Sequence, residues 1–278
     1  MRPALDFSPA AGYATAMPEL KRYGDWALVT GASAGIGMAF AHRFAAEGLN
    51  LALVARRTDR LDKLASELGG RHGIRSRVIS QDLAAEGAAE RVGEAVRDLD
   101  VGVLVNNAGF SAAGRFERVP RDKHVEMIRV NCVAVAALTH VFLPPMKSRG
   151  RGAIIIVASA AAYQPLGLAA TYGATKAFDL MFGEALWAEN QGTGVDVLVV
   201  SPGPVETEFQ TVAGETPHPG ATPDSVVEVA LAALGKKPSV VAGVANKARA
   251  WSVRLGPRAV VARVALGVMR GFLPEAMR

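Results

Sequence analysis

A tyrosine and a lysine stand four residues apart in the segment YGATK, which runs from Tyr172 to Lys176. Side chains at positions i and i+4 share one face of a helix, so a helix here places the phenol beside the ammonium. A phenol has an ordinary pKa of about 10, and a neighbouring ammonium lowers that pKa by favouring the phenolate. Ser159 ends the preceding predicted strand, where its hydroxyl can hydrogen-bond a substrate oxygen that gains charge. The three groups predict proton exchange with a carbonyl or alcohol oxygen, although a Tyr-x-x-x-Lys pair alone is common by chance.

A glycine-rich turn, TGASAGIG, runs from Thr30 to Gly37 between the first predicted strand and the first predicted helix. Glycine allows a sharp turn and a close approach of the backbone to a phosphate, and the helix N-terminus adds free N–H groups. The turn therefore predicts a dinucleotide site, although its spacing differs from the common G-x-G-x-x-G. The residues predicted to contact the cofactor here are Gly31, Ser33, Gly35, Ile36 and Gly37.

The second predicted strand ends in Arg56 and Arg57 instead of the carboxylate that holds the ribose 2′-hydroxyl in NAD-binding proteins. Guanidinium groups at that place attract a 2′-phosphate, which favours NADP(H), with Arg56 the preferred residue because it is nearer the strand. The alternative is that both arginines only begin a solvated helix. Asp82, after the third strand, is predicted to accept a hydrogen bond from adenine, or else to cap a helix.

Strand-like apolar runs alternate with helical runs along the whole chain. This alternation predicts a Rossmann-type doubly wound parallel sheet of about seven strands, with helices on both faces and ligands at the carboxyl ends of the strands. The direction of the last connection stays open. The predicted strands are Trp26–Thr30, Leu51–Ala55, Ser76–Ser80, Val101–Asn106, Ala153–Ser159, Val195–Ser201 and Ser239–Ala242. The predicted helices are Ile36–Glu47, Thr58–Leu68, Glu86–Leu99, Arg121–Lys147, Ala170–Asn190 and Pro223–Leu234.

Charge is concentrated at one end of the chain. Residues 246–278 contain seven basic residues and one acid, whereas the whole 278-residue chain has a net charge of +5, so residues 1–245 carry −1. A nearly neutral body argues against nucleic-acid binding. The single cysteine, Cys132, fits a reducing compartment, and neither a secretion signal nor a run of about 18 apolar residues is expected. We therefore expect a cytoplasmic protein.

The basic C-terminal segment is split by Gly256 and Pro257, after which Ala259–Met269 is predicted to form a helix. Val260, Val264 and Val268 recur at helical spacing on it. Three roles stay open for this helix. It packs on its own domain with its arginines in water, it lies on an anionic membrane surface near a lipid substrate, or it closes a substrate channel or a subunit interface.

The ordered motifs make the chain resemble the short-chain dehydrogenases/reductases over about residues 24–242. They are TGASAGIG at Thr30–Gly37, NNAG at Asn106–Gly109, Asn131, Ser159, YGATK at Tyr172–Lys176 and PGPVET at Pro202–Thr207. The segment Tyr23–Val29 further resembles very-long-chain 3-oxoacyl-CoA reductases and related hydroxysteroid dehydrogenases, which implies a lipid-like ketone. Residues near the expected pocket are mostly apolar and include Phe110, Tyr163, Gln164, Leu166 and Leu168.

The resemblance implies a catalytic tetrad of Asn131, Ser159, Tyr172 and Lys176, in which Tyr172 is the general acid in reduction and the base in oxidation. Lys176 would also hold the nicotinamide ribose, Ser159 would orient the carbonyl, and Asn131 would anchor a water of the proton relay. The cofactor site implied further along the chain consists of Asn106, Ala108, Gly109, Tyr172, Lys176, Pro202, Gly203 and Thr207. Ala34 departs from the variant of the turn that carries a basic residue for NADP, so the cofactor prediction depends on Arg56.

These expectations divide the chain into an N-terminal extension (1–22), a catalytic domain (23–245) and a basic C-terminal extension (246–278). A loop from Glu208 to Thr222 is expected to cover a small-molecule substrate. The family implies a homodimer or homotetramer formed through the long helices Arg121–Lys147 and Ala170–Asn190. The alternative function is a non-catalytic NADP-binding regulator or membrane-surface protein on the same fold, because a fold alone does not determine function.

Overall fold

The computed structural model describes residues 19–216 and 218–278, and a single parallel sheet organises them. The strand order is β3-β2-β1-β4-β5-β6-β7, and every neighbouring pair is parallel. The predicted doubly wound sheet of seven strands is confirmed. The strands are β1 (Trp26–Thr30), β2 (Asn50–Ala55), β3 (Ser76–Ser80), β4 (Val101–Asn106), β5 (Gly152–Val157), β6 (Val195–Ser201) and β7 (Ser239–Val241).

Ten α-helices lie in the described part of the chain, and the longer ones cover both faces of the sheet. They are α1 (Gly35–Ala46), α2 (Thr58–His72), α3 (Ala88–Ala95), α4 (Arg121–Ile128), α5 (Ala134–Arg149), α6 (Ala170–Glu189), α7 (Phe209–Ala213), α8 (Pro223–Ala233), α9 (Val244–Ser252) and α10 (Arg258–Phe272). Because β6 and β7 are parallel, α8 is an ordinary crossover, which resolves the connection that the sequence left open.

The two faces of the sheet form two separate apolar cores, because successive strand residues point in opposite directions. From β1, Val29 joins the core that contains Phe40 and Phe44 of α1, whereas Leu28 joins the core that contains Phe142 of α5. All five residues of β1 are buried, which explains why its sequence is continuously apolar instead of alternating. Each fully buried Phe or Leu side chain contributes about 1.5–3 kcal/mol to folding.

Several helix boundaries differ from the sequence prediction. The helix expected over Arg121–Lys147 is interrupted by a π-helical turn at Arg129–Val133, and the one expected over Glu86–Leu99 spans only Ala88–Ala95. Neither α7 nor α9 was predicted, because helices this short are stabilised by tertiary packing and carry little pattern of their own. The strand predicted to reach Ser159 ends at Val157.

One helical run in the described residues, Arg121–Arg149, is long and apolar enough to span a membrane by length and composition. The expectation that no such stretch exists is therefore wrong. The run also contributes to the protein core, since Leu138, Phe142 and Met146 of α5 are buried in the same apolar core as Leu28 of β1. Core helices commonly satisfy the same criterion, so its composition alone does not indicate a membrane protein.

The strand order reverses between β1 and β4, and this reversal opens a crevice beyond their carboxyl ends. Residues 1–18 of the predicted N-terminal extension lie outside the described residues. A 3₁₀ turn, Leu20–Tyr23, joins the end of the extension to the catalytic domain, and the Tyr23 hydroxyl donates a 2.6 Å hydrogen bond to Asp196 Oδ2. The C-terminal extension supplies α9 and α10, which lie beside the crevice.

Candidate active site

A cleft of about 690 Å³ lies at the carboxyl edge of the sheet and collects loops that follow six strands. Its volume is typical of a small-molecule or cofactor site. The predicted site residues that line it are Gly31, Ser33, Gly35, Ile36, Arg56, Arg57, Asp82, Ala108, Gly109, Ser159, Tyr172, Lys176, Pro202, Gly203 and Thr207. Three predicted site residues, Gly37, Asn106 and Asn131, do not line it.

The glycine-rich turn forms one wall of the cleft. Gly31 has φ +67°, and a Cβ atom there would lie 2.8 Å from Asn107 Nδ2, so a larger residue would be both strained and crowded. The first turn of α1 follows Ala34, which provides no side-chain cap, and its N–H groups stay available to an anion. These features fit the pyrophosphate of a dinucleotide.

Gly37 and Asn106 support this wall from behind. A Cβ atom at Gly37 would lie 2.5 Å from Gly31 O, so this glycine allows α1 to pack against the turn. Asn106 is buried and donates to Thr139 Oγ1 at 3.1 Å, away from the cleft, so the structure corrects its predicted place in the cofactor floor. Asn107, the second amide of the NNAG segment, lines the cleft and ties β4 to β1 by donating to Thr30 O at 2.8 Å.

The two arginines after β2 point in different directions. The Arg57 guanidinium donates to Ser33 Oγ at 3.0 Å and to Glu208 Oε2 at 2.8 Å, which places it against the glycine-rich turn. Arg56 is exposed and lies 3.4 Å from Glu126 Oε1. The sequence preferred Arg56 on proximity to the strand, but the geometry joins Arg57 to the turn.

Asp82 lines the cleft and also caps a local turn. The predicted helix-capping role is wrong, because α3 begins at Ala88 with Gly87 as its N-cap. Asp82 Oδ1 instead accepts a 3.0 Å hydrogen bond from Ala84 N and caps the turn that follows β3. Such a cap holds the loop after β3 in place through a backbone N–H that would otherwise lack a partner.

Tyr172 and Lys176 lie on α6, one turn apart, facing the end of β5. The Lys176 ammonium donates to Val157 O at 2.7 Å and to Asp179 Oδ2 at 2.9 Å. Ser159 lies just beyond β5, where its Oγ accepts from Ala161 N at 3.1 Å. Ser159, Tyr172 and Lys176 all line the cleft, and the Ser159 hydroxyl is near enough to the Tyr172 phenol to lower its pKa, so the three predicted groups converge there.

The pKa of the Tyr172 phenol is raised above its ordinary value. Burial of the phenol raises the pKa most strongly, whereas the Lys176 charge and the Ser159 hydrogen bond lower it. The carboxylates of Glu215 and Asp179 raise it further. The expected effect of the lysine is present, but burial outweighs it, so the free protein keeps this phenol protonated at neutral pH.

Asp179 is a residue of the site that the sequence analysis missed. Its carboxylate is 1% exposed and forms a buried ion pair with Lys176. Burial is the largest influence and lowers the pKa of the Lys176 ammonium, but Asp179 and Tyr172 act together to leave that pKa above its ordinary value. The only sequence signal was an acid three residues after the lysine, on the same face of the helix.

Asn131 does not line the cleft and is fully buried in the π-helical turn Arg129–Val133. Its side chain accepts from Phe110 N at 3.1 Å and donates to Phe110 O at 3.0 Å and Thr175 Oγ1 at 3.0 Å. It therefore connects the loop after β4 to α6. Turns of π-helix within α-helices are frequent at functional sites.

The other half of the cleft is mainly apolar and is covered by the C-terminal extension. Phe110, Gln164 and Leu166 line it as expected, whereas Tyr163 and Leu168 do not. The α10 residues that line it are Val260, Val261, Val264, Ala265, Val268, Met269 and Phe272. The structure shows features of two of the roles left open for this helix, because α10 packs on its own domain and also lies over the cleft.

The loop that was expected to cover the substrate is tied to α10. Thr216 N donates to Phe272 O at 2.9 Å, and the rings of His218 and Phe272 lie 4.3 Å apart. Within the loop, the Phe209 ring of α7 lies 5.5 Å from that of Tyr172. The loop and the C-terminal helix therefore enclose the site together.

Comparisons with known proteins agree with this geometry. The sequence model of the family described as short chain dehydrogenase matches residues 25–218. A 7beta-hydroxysteroid dehydrogenase of Collinsella aerofaciens is 36% identical over 82% of this chain and 89% of its own length. A very-long-chain 3-oxoacyl-CoA reductase of Anas platyrhynchos is 36% identical over 81% of this chain and 72% of its own.

Solved structures show the same relationship. A 7beta-hydroxysteroid dehydrogenase structure superposes with a TM-score of 0.83 at 33% identity, covering 90% of this chain and 99% of the other. A short-chain dehydrogenase from Sphingobium yanoikuyae in complex with NADPH gives a TM-score of 0.75 at 31% identity, covering 91% and 98%. The glycine-rich turn, Ser159, Tyr172 and Lys176 follow one another along the chain in the order that the family has. This chain belongs to the short-chain dehydrogenases/reductases, oxidoreductases that act on CH–OH groups.

Proposed function

We propose that the protein is an NADP(H)-dependent oxidoreductase that interconverts a ketone and a secondary alcohol on an apolar, lipid-like substrate. The observation that carries this proposal is the convergence of Tyr172, Ser159 and Lys176 between a glycine-rich turn and an apolar half-cleft. The complete set of groups argues against a non-catalytic NADP-binding regulator, which would have no need of the serine and the tyrosine together.

The residues of the chain divide the work around the reacting oxygen. When bound, a nicotinamide dinucleotide supplies or accepts the hydride. Tyr172 Oη gives its proton to the substrate oxygen in reduction and takes it back in oxidation. Ser159 donates a hydrogen bond to the same oxygen as charge develops on it. Lys176, anchored by Val157 O and Asp179, stabilises the phenolate that remains.

The preference for NADP(H) over NAD(H) is supported by the groups around the end of β2. Arg57 and Ser33 meet there, Arg56 lies on the same cleft wall, and β2 ends without a carboxylate. A guanidinium binds a phosphate by charge-assisted hydrogen bonds. The related structure from Sphingobium yanoikuyae contains NADPH.

The substrate class is proposed from the cleft wall and from the relatives. Valine side chains of α10 and the rings of Phe110 and Phe209 offer apolar contact, with few polar groups to select a hydrophilic substrate. Similar proteins are named for a hydroxysteroid and for a very-long-chain 3-oxoacyl thioester. We therefore propose a bulky ketone of that kind.

The test is a panel of steroid, acyl-thioester and small ketones, followed by NADPH and NADH absorbance. We expect turnover of a bulky apolar ketone with NADPH, at least tenfold loss with NADH, and loss of turnover by more than a thousandfold in Tyr172→Phe. NADPH should still bind the variant, as measured by fluorescence titration. Wild-type protein that binds NADPH but reduces no carbonyl would favour the non-catalytic regulator, and an active Tyr172→Phe would refute the proton-donor role.

A second candidate activity, binding to an anionic lipid surface, is favoured by the outer side of the C-terminal extension. Trp251 and Leu255 are 64% and 70% exposed, and Arg254 and Arg258 adjoin them. An interfacial helix inserts apolar side chains between lipids while its cations meet the headgroups. A symmetric contact between two copies would instead place these cations against one another, which is unfavourable.

Vesicle co-sedimentation tests this activity. We expect binding to phosphatidylglycerol vesicles that is at least fivefold stronger than to phosphatidylcholine and is lost in Trp251→Ser/Leu255→Ser. The matched control is Phe116→Ser, which removes a 63% exposed side chain between β4 and α4, outside the C-terminal extension. Equal binding by the double variant, or a change of oligomeric state in place of vesicle binding, would contradict the proposal.

A homodimer or homotetramer also remains a proposal. Apolar side chains on the outer side of the long helices, Val133, Phe178 and Met181, are exposed, and Phe178 stacks on Phe182 at 5.3 Å. An exposed apolar face of this kind is typical of a subunit interface. Sedimentation equilibrium checks it, and a monomer at micromolar concentration would contradict it.

A further inference from the structure

One carboxylate of the covering loop, that of Glu208, forms ion pairs with two arginines beside the glycine-rich turn. Glu208 Oε2 accepts from Arg57 Nη1 at 2.8 Å, and Glu208 Oε1 accepts from Arg60 Nη1 at 2.6 Å. The same Arg57 guanidinium donates to Ser33 Oγ. Arg60, on the first turn of α2, was not among the predicted site residues. A single side chain thus bridges both cations with its two oxygens.

The place that Glu208 occupies has the chemistry of a phosphate site. Two guanidinium groups and a hydroxyl lie beside a glycine-rich turn, which is where a ribose 2′-phosphate would be recognised in this fold. A carboxylate makes the same charge-assisted hydrogen bonds as a phosphate, with less charge and one oxygen fewer. The two anions cannot share Arg57 without repelling each other.

We propose that Glu208 is an internal counter-anion, which occupies Arg57 and Arg60 in the free protein and yields them to the 2′-phosphate of the cofactor. The inference rests on the proposed NADP(H) site and adds a residue that determines how strongly that site discriminates. Glu208 weakens binding of the 2′-phosphorylated dinucleotide while leaving the unphosphorylated one unaffected. Glu208 is therefore a residue that determines cofactor specificity, and it is not one of the groups that act on the substrate oxygen.

The exposure of these ion pairs makes the exchange feasible. The side chains of Arg57, Arg60 and Glu208 are 42%, 43% and 49% exposed, so their pairing is weakened by water. The Lys176–Asp179 pair, at 6% and 1% exposure, has no such freedom. A phosphate carries nearly twice the charge of a carboxylate and can therefore displace Glu208.

The displacement would also reach the cover of the active site. Glu208 immediately precedes α7, and the next residue, Phe209, packs against the Tyr172 ring. Thr207, on its other side, lies against Gly35 of the glycine-rich turn, where a Cβ atom would come within 3.0 Å of it. Release of Glu208 therefore acts on the segment that joins the cofactor wall to the covering loop.

The experiment uses the adenosine half of the cofactor, with and without the 2′-phosphate. Adenosine 2′,5′-bisphosphate and adenosine 5′-monophosphate are titrated into wild-type protein, Glu208→Gln and Glu206→Gln by calorimetry. Glu206→Gln is the matched control, because it removes the same charge two residues away, where the carboxylate accepts from Gly220 N and forms no ion pair among the described residues. Arg57→Ala shows the affinity that remains without the phosphate contact.

We expect Glu208→Gln to bind the bisphosphate about two- to fivefold more tightly, the range set by exposed ion pairs. Its affinity for the monophosphate should not change, and Glu206→Gln should match wild type for both. Unchanged or weaker bisphosphate binding by Glu208→Gln would overturn the inference and make Glu208 a support for the arginines. A wild-type protein without preference for the bisphosphate would instead refute the NADP(H) assignment itself.

Discussion

Opposing influences act on the Tyr172 phenol, and their balance determines which protonation state of the phenol predominates in the free protein. Burial and two nearby carboxylates raise its pKa, whereas Lys176 and Ser159 lower it. Because the net direction is upward, the protonated phenol predominates at neutral pH. That form is the proton donor needed for reduction, and oxidation needs the phenolate.

The raised pKa of the Tyr172 phenol predicts how the rates of reduction and oxidation depend on pH. We expect kcat/KM for the reduced dinucleotide, which reports groups of the free enzyme, to stay level through neutral pH and to fall only above about pH 10. The oxidation rate should rise with pH over the same range. Steady-state profiles in both directions check this, and a reduction profile that already declines near neutrality would show that Lys176 outweighs burial.

At the scale of elements, α6 carries two of the four candidate catalytic groups, Tyr172 and Lys176, and holds the lysine through buried polar contacts. Lys176 reaches back to the end of β5 and forward to Asp179, while Thr175 accepts a hydrogen bond from Asn131 in the π-helical turn. Removing one partner of a buried pair leaves the other charge without compensation. The position of the ammonium therefore depends on the helix as a unit.

Replacing Asp179 tests this dependence. We expect Asp179→Ala to lower the free energy of unfolding by about 3 kcal/mol, because Lys176 stays buried without its counter-charge and keeps the Val157 O hydrogen bond. Urea denaturation measures the change. The control is Glu94→Ala, which breaks an exposed i,i+3 pair with Arg97 and should cost less than about 1 kcal/mol. Equal losses in the two variants would contradict the role of the buried pair.

For the whole molecule, the C-terminal extension completes a site that the sheet alone leaves open. Helix α10 lies over the apolar half-cleft, with Ala265 and Met269 buried and Val264 facing the open part of the cleft. Backbone and ring contacts join Phe272 to the covering loop. Residues of the sheet domain and of the C-terminal extension therefore line the same cleft.

A polar substitution on the side of α10 that lines the cleft distinguishes a role in substrate binding from a role in protein stability alone. We expect Val264→Asn to raise KM for a bulky apolar ketone about tenfold, because an apolar contact of valine size is worth about 1.5 kcal/mol. The kinetics of a small ketone should not change. Arg263→Gln, a change to an exposed residue on the same helix that does not line the cleft, serves as control. An equal effect on both ketones would exclude α10 from the substrate half of the cleft.

Local chemistry allowed much of the fold and the candidate site to be predicted from sequence. The seven apolar strand segments, the glycines of Thr30–Gly37 and the i,i+4 spacing of Tyr172 and Lys176 are short-range patterns, and the structure brings them to one edge of the sheet. Asn106 and Asn107 could not be told apart by pattern. A shift of one residue reverses the direction of a strand side chain, and only the packed sheet shows which amide faces the cleft.

The sequence by itself determined the sheet, its element order and the family, because these follow from periodicity and from motifs whose residues are neighbours in the chain. Tertiary structure alone decided that Asp179 balances Lys176, that Glu208 spans Arg57 and Arg60, and that α10 covers the cleft. Each of these is a contact between charges or apolar surfaces whose strength depends on burial and distance. Except for the Asp179 pair, they join segments far apart in the chain, so no local pattern specifies them.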